Sequence, residues 1–308
     1  MNNAFPVNDD DLLTTVRRLW PQLANCRLCP RECGANRLAG DRGFCGAGLL
    51  PEVASATVHQ GEEPPISGWR GSGTVFFSHC SLRCLFCQNW PISQKHVGRV
   101  LTVAELAEKM LALQRRGVHN INLVNPTHYW PQIAAAVYLA RKGGLRLPVL
   151  ANTSGYENTS TLQQLGEVVQ IWLPDVKYSS GKLAEQYSGA KDLPKTTWRA
   201  LRWMVEHAGP LVVGSDGLAK SGVLIRHLVL PDNSSDTRMV LHGIKRRFDR
   251  TIPVSLLTQY FPAHRAHDQQ LLARPLTNTE KESAMRMIRR LELTGGWRQA
   301  DAGNETNC

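Results

Sequence analysis

Long hydrophobic runs are missing from this sequence. No stretch approaches the roughly 18 consecutive apolar residues that a bilayer-spanning helix needs, so no membrane span is expected. The opening MNNAFPVNDDDLLTTVRRLW is polar and acidic, without the apolar core of a secretory signal. A cytoplasmic protein is therefore expected. No segment repeats at a fixed period, and low complexity is confined to the tail after Gly295. Negative charge is in short supply: 26 Asp+Glu stand against 36 Lys+Arg, a net charge of +10. The basic residues are nonetheless spread out, with the densest groups at Arg115-Arg116, Lys245-Arg246-Arg247 and Arg286 to Arg290. Each lies in a helix-like stretch, where a solvated face or an acidic partner accounts for it.

What is present is a chain of 308 residues, 42% apolar, with eight cysteines. That length and composition bury a full core and exclude disorder, collagen and a small disulfide scaffold. In a reducing compartment, clustered cysteines are metal ligands or catalytic thiols rather than disulfides. One cluster comprises Cys26, Cys29, Cys33 and Cys45, the other Cys80, Cys84 and Cys87. The breaker-rich EEPPISGWRGSG, residues 62–73, lies between them. It marks a boundary near Gly68, with a Cys-rich lobe over 1–68, a core over 69–295 and a flexible tail over 296–308.

Beyond Gly73, strand-like and helix-like segments alternate. Strands are expected at 74–78, 120–125, 148–153, 168–177, 223–230 and 254–259. Helices are expected at 103–115 with Thr102 as N-cap, 131–141, 160–165, near 182–188, 195–208, 236–248, and 277–293 with Thr277 as N-cap. Six apolar strands, each followed by a helix, indicate an α/β fold with a covered parallel sheet. Either an open doubly wound sheet or a partial barrel satisfies that pattern.

The first of these strands leads into Ser78-His79-Cys80-Ser81-Leu82-Arg83-Cys84-Leu85-Phe86-Cys87-Gln88-Asn89. Three cysteines spaced C-x3-C-x2-C thus occupy a loop at a strand's carboxyl end, where parallel α/β folds carry their sites. Three thiolates can hold three irons of a cubane cluster and leave the fourth open. An open coordination position lets a metal bind substrate. A zinc site completed by His79 is the alternative.

At these residues the sequence resembles the radical SAM superfamily, whose signature is Cys-x3-Cys-x-aromatic-Cys. From about Gly71 to His264 it is similar to the glycyl-radical-enzyme activating branch, typified by pyruvate formate-lyase activating enzyme. Within that branch it most resembles homologues with an extra N-terminal four-cysteine lobe. The resemblance implies a partial (βα)6 TIM-like barrel, a [4Fe-4S] cluster on Cys80, Cys84 and Cys87, and S-adenosylmethionine (SAM) as cofactor. It places Asn152 and Ser154, in Asn152-Thr153-Ser154-Gly155, where the branch has Asp-Thr-Asn-Gly facing the nucleoside. It sets Lys177, of Asp175-Val176-Lys177, and Arg226 opposite the SAM carboxylate or the substrate backbone, and His264 on the adenine or ribose. Where the branch has Gly-Gly-Glu for the SAM amino group, this chain has Asn125-Pro126-Thr127-His128, leaving Asn125 as the candidate. By their position alone, Asp175 and Lys177 share a strand face and suit a plain salt bridge. Arg226, in an apolar strand, needs a partner if it is buried.

Cys26, Cys29, Cys33 and Cys45 supply the four thiolates of a closed site, whether zinc or a second iron–sulfur cluster. Such a site is structural or relays electrons, which leaves catalysis to the three-cysteine loop. The expected function is therefore radical SAM chemistry that activates a glycyl radical protein, with a flavodoxin or ferredoxin as electron donor. Radical modification of another protein or small molecule is the alternative. A non-catalytic zinc protein binding nucleic acid is the distant one; the sequence lacks recognition motifs for that role.

Overall fold

The computed structural model describes residues 9–248, 251–293 and 295–297. The elements run α1 (Asp9–Leu19), β1 (Glu52–His59), α2 (Pro64–Ser67), β2 (Ser72–Phe77), α3 (Trp90–Ser93), β3 (Arg99–Val100), α4 (Val103–Arg115), β4 (Ile121–Val124), α5 (Trp130–Lys142) and β5 (Val149–Thr153). They continue with α6 (Thr159–Leu165), β6 (Ile171–Pro174), α7 (Gly181–Ser188), α8 (Leu193–Ala208), β7 (Val212–Val213), β8 (Ala219–Val223), β9 (Ile225–Leu228), α9 (Thr237–Phe248), β10 (Val254–Leu257) and α10 (Asn278–Arg290).

One sheet has the order β3-β1-β2-β4-β5-β6-β8-β7, and a second pairs β10 with β9. β2, β4, β5 and β6 are parallel, as are β9 and β10. A bridge between Asp175 and Arg226 joins the two sheets. The six expected strands thus form the staves of a partial (βα)6 barrel. The expected strand at 223–230 is β9, which pairs with β10; its first residue, Val223, ends a separate strand, β8, which pairs with β6. The expected strand at 168–177 shortens to β6, because residues 166–168 form a 3-10 turn.

Side chains alternate across each stave. Ile121, Leu123, Ala151, Trp172, Ile225 and Leu256 pack into the main core with the helices. Leu150, Ile171, Leu173 and Leu224 form a separate cluster with Ile66 of α2, which plugs the amino end of the barrel. At the carboxyl end, several staves leave through a left-handed residue: His79 after β2 (φ 74°), Asn125 after β4 (59°), Gly155 after β5 (75°) and His264 beyond β10 (54°). Gly155 has a further constraint, since a Cβ there would stand 2.2 Å from the Asp175 carbonyl oxygen.

Residues before Gly68 contribute to this same body. β1 pairs antiparallel along β2, from Val53 opposite Phe77 to His59 opposite Ser72. α1 buries Leu12, Thr15 and Leu19, with three aspartates in its first turn and Arg17 and Arg18 in its last, matching the helix dipole. Of the expected tail, only residues 296 and 297 lie among those described. The Trp297 carbonyl accepts from Leu256 N at 3.2 Å, along the edge of β10.

Candidate active site

The three-cysteine loop is held from several sides. Arg83 donates to the carbonyls of Cys80 (2.7 Å) and Leu82 (2.9 Å). The backbone N–H groups of Arg83 and Leu85 donate to Ser188 and Tyr187 at the end of α7. The Leu85 carbonyl accepts from Arg265 N, in the loop after β10. The loop therefore spans the mouth of the barrel. Cys84 Sγ lies 3.1 Å from Ser188 Oγ, Cys87 Sγ 3.2 Å from Ser93 Oγ, and Cys80 donates to Asn125 Oδ1 at 3.6 Å. His79, the alternative fourth ligand, is engaged instead with Glu52 at 2.9 Å and with the His96 ring at 4.2 Å.

Burial pushes the Cys80 thiol up to about 12, and the neighbouring Cys84 and Cys87 add to the shift. Burial also raises Cys84, against the pull of Lys177. Three thiols in one another's fields ionise together only around a cation, which a metal cluster provides. Among the described residues, no three or more Cys, His, Asp or Glu side chains converge as ligands of a single metal ion. A cubane takes one thiolate on each of three irons and does not require such convergence. The donor set thus fits a [4Fe-4S] cluster with one iron left for another ligand.

Several of the other expected site residues surround this loop. Lys177 donates to Asp175 at 2.5 Å, the salt bridge that their spacing allows. Burial works to lower its pKa, but Asp175 and the thiols of Cys84 and Cys87 outweigh it, so the ammonium is retained beside the cysteines. Asn125 donates from Nδ2 to the His79 carbonyl at 2.5 Å while Oδ1 accepts from Cys80. Asn152 lies on the lumen face of β5 and is half-buried, and the Ser154 hydroxyl accepts from Tyr156 N at 3.4 Å. His264 stacks on Trp90, just beyond Cys87, with ring centroids 5.3 Å apart.

Arg226 is placed differently from its expected role. It is buried, as expected, but its guanidinium is already engaged with Glu62 and Glu63, its Nε donating to Glu63 Oε1 at 2.9 Å. The counter-charge that it needs comes from the chain itself. Glu62 and Glu63 open the breaker-rich stretch read as a boundary, where an exposed turn and a contact to substrate are equally open readings; here they enter the lumen. Glu157 was also missed: it accepts from Thr127 (2.5 Å) and Trp130 (3.3 Å), and burial pushes it up to about 7. No local spacing signals any of these three.

The four-cysteine segment abuts the three-cysteine loop. Turns bind it internally: Cys26 N to Ala35 O, Gly34 N to Cys26 O, and Glu32 N to Cys29 O. The thiols of Cys26, Cys33 and Cys45 each raise the pKa of Cys29, whose burial is the largest cause. A Cβ on Gly43 would stand 2.3 Å from Cys33 Sγ, so a larger residue there would displace that thiol. Three of the local arginines reach out of the segment. Arg31 donates to the Ser81 (3.0 Å) and Gly189 (2.6 Å) carbonyls, Arg37 to Gly48 and His128, and Arg42 to Gly46 and Glu52. Arg83 returns the tie by donating to Phe44 O.

Comparison with known proteins agrees with this geometry. Residues 74–219 match the Radical SAM superfamily. The uncharacterized protein MJ0674 of Methanocaldococcus jannaschii is 27% identical over 87% of this chain and 75% of its own length. MJ0808 of the same organism is 25% identical over 91% of this chain and 80% of its own. Among solved structures, methylornithine synthase is 14% identical and superposes with a TM-score of 0.50 over 99% of this chain and 86% of that one. The [FeFe]-hydrogenase maturase HydG, at 13% identity and a TM-score of 0.50, has 63% of its own length spanned by 95% of this chain. These two likenesses concern the fold.

Proposed function

We propose that this chain, with its radical SAM domain over residues 74–219, is an enzyme that activates a glycyl radical protein by hydrogen abstraction. The observation that carries the radical reading is the loop of Cys80, Cys84 and Cys87, without a fourth thiol of its own, set across the barrel mouth beside Lys177 and Asn125. Held by Cys80, Cys84 and Cys87, a [4Fe-4S] cluster would supply the electron for reductive cleavage of SAM to methionine and a 5′-deoxyadenosyl radical, which would take a hydrogen atom from the substrate. The residues of this chain bind and orient. Cys80, Cys84 and Cys87 hold three irons. Lys177 balances thiolate charge, Asn125 offers an amide oxygen for the SAM amino group, and Asn152 and Ser154 line the approach for its nucleoside. His264 and Trp90 form an aromatic wall at the mouth.

Arg199 and Arg202 of α8 and Arg247 of α9 line one surface groove, and Arg202 and Arg247 are shared with a second that Lys245 and Arg246 line. Such a groove suits an acidic flavodoxin or ferredoxin as electron donor. Cys26, Cys29, Cys33 and Cys45 are the candidate second centre for zinc or a further iron–sulfur cluster; because these thiols do not converge on a single ion, a cluster that takes one thiolate per iron is favoured.

Radical modification of another protein or small molecule is the second reading. It is favoured by the ionic group of Glu62, Glu63 and Arg226 in the lumen, which a glycyl backbone does not call for.

Anaerobic purification followed by iron, sulfide and zinc analysis tests the centres: about four irons per chain with zinc indicates one cubane, and about eight indicates two. Addition of dithionite and SAM should yield 5′-deoxyadenosine and methionine, and Cys84→Ala should abolish this. Wild-type protein with a full complement of iron that leaves SAM intact would sink the radical reading.

A further inference from the structure

The lumen of the barrel holds a charged group that the chemistry above does not use. Glu62 Oε1 accepts from Asn122 Nδ2 at 2.7 Å, and both Glu62 and Glu63 accept from Arg226. All three ionic side chains are less than a tenth exposed. Among the described residues, two acidic side chains face one guanidinium, so the group holds one more acidic than basic side chain. Glu63 remains a carboxylate: burial works to raise its pKa, but Arg226 and a hydrogen bond from Ser255 bring it below the ordinary range. A buried charge without a counter-charge is costly, and folds tolerate it where something completes it.

A second observation points the same way. Asn122 is fully buried, and its Oδ1 has no partner. Asn122 does not itself line the cavity at Glu62, but the bond from its Nδ2 fixes the Glu62 carboxylate that does. The third observation is space. Glu62, Glu63, Arg226, Ser255, Leu257 and Gln259 line a cavity of about 130 Å³, room for roughly four water-sized groups at ~30 Å³ each. What the two carboxylates at this cavity lack is a second positively charged hydrogen-bond donor beside Arg226. An ammonium group brings one charge and three N–H donors.

We propose that this cavity binds the ammonium group of a primary-amine substrate, with Glu62 and Glu63 supplying the counter-charge and Arg226 holding both carboxylates in place. The ligand's status as a substrate rests on the radical-enzyme reading; the binding itself does not.

Calorimetric titration of the full-length, anaerobically prepared protein with n-butylammonium, n-butanol and butyrate tests the assignment. Only n-butylammonium should bind, and Glu62→Gln, shown to be folded by circular dichroism, should weaken it at least about tenfold. Binding of butyrate would assign the cavity to Arg226 instead and overturn the proposal. So would equal binding of n-butanol, binding of none of the three, or unchanged affinity in folded Glu62→Gln. The wild-type series decides even if the variant does not fold. No turnover is involved, so a protein that leaves SAM intact defeats the radical reading without touching this result.

Discussion

Burial acts on single residues in opposite senses here, and the balance sets the response to acid. Burial pushes His128 down to about 3 and His227 down to about 4, each from an ordinary 6.5. Stability from a depressed histidine is fully present above its unfolded pKa and is lost as pH falls toward the folded one. Glu157 is the reverse: raised from 4.5 to about 7, it stabilises most below about 4.5 and loses that contribution as pH rises. Between about pH 4.5 and 6.5, the unfolded state gains two protons on the histidines and lacks the one held by Glu157. From these three groups the net is one proton, a contribution of about 1.4 kcal/mol per pH unit, and the other depressed histidines, His79, His96, His119 and His264, add to it in the same sense. Glu157→Gln should steepen the slope by about 1.4 kcal/mol per unit relative to the wild type. Urea unfolding of both proteins across this range checks it, and cluster loss common to both cancels in the comparison. Equal slopes would mean that Glu157 is ionised in the folded protein. At this scale the cysteines were legible because spacing alone declares them. Arg226 was half legible: its need for a partner could be read, but Glu62 and Glu63 lie more than 160 positions away.

Elements were most legible where a cap and a periodic stripe coincide. Thr102 Oγ1 accepts from Glu105 N at 3.1 Å, while the Glu105 carboxylate accepts from Thr102 N at 2.7 Å. This capping box opens α4, which buries Leu106, Met110 and Leu113 over the bounds that the stripe predicts. Thr277 and Glu280 repeat the arrangement at α10. Thr102→Ala should cost about 1 kcal/mol, seen as a shifted urea midpoint at unchanged m-value. No shift would mean that water or the chain replaces the cap without loss. β1 was not legible, because its burial does not alternate: Glu52 is buried beside His79 and Arg42, while most later positions are half-buried. The break at Leu224 was hidden as well. The apolar run continues through it, and only the change of pairing partner divides β8 from β9.

At the scale of the whole molecule, the segment before Gly68 supplies parts that the barrel lacks. β1 covers the edge of β2, α1 packs on α5 and α6, and Arg37 is fully buried between the Gly48 and His128 carbonyls. A chain beginning at Trp69 would expose the β2 edge and the α5 face together. It should be recovered aggregated, as read by gel filtration and far-UV circular dichroism. A soluble, folded monomer would show that the barrel stands without these contacts. The boundary near Gly68 was read from breaker residues, which mark where a chain turns. Whether a turn also parts two packed bodies depends on pairings that no local pattern encodes.

His79, Asn125 and His264 all hold left-handed backbone at the rim of the barrel. Glycine and asparagine adopt that conformation at lower cost than histidine, and β-branched residues scarcely adopt it at all. Over evolutionary time, lineages of this chain can therefore drift at His79 toward glycine or asparagine with the turn unchanged, giving up its bond to Glu52. Asn125 and His264 are also held by what their side chains contact beside the cysteines. A search profile that rewards identity at His79 would pass over true relatives, while one that rewards the turn would find them.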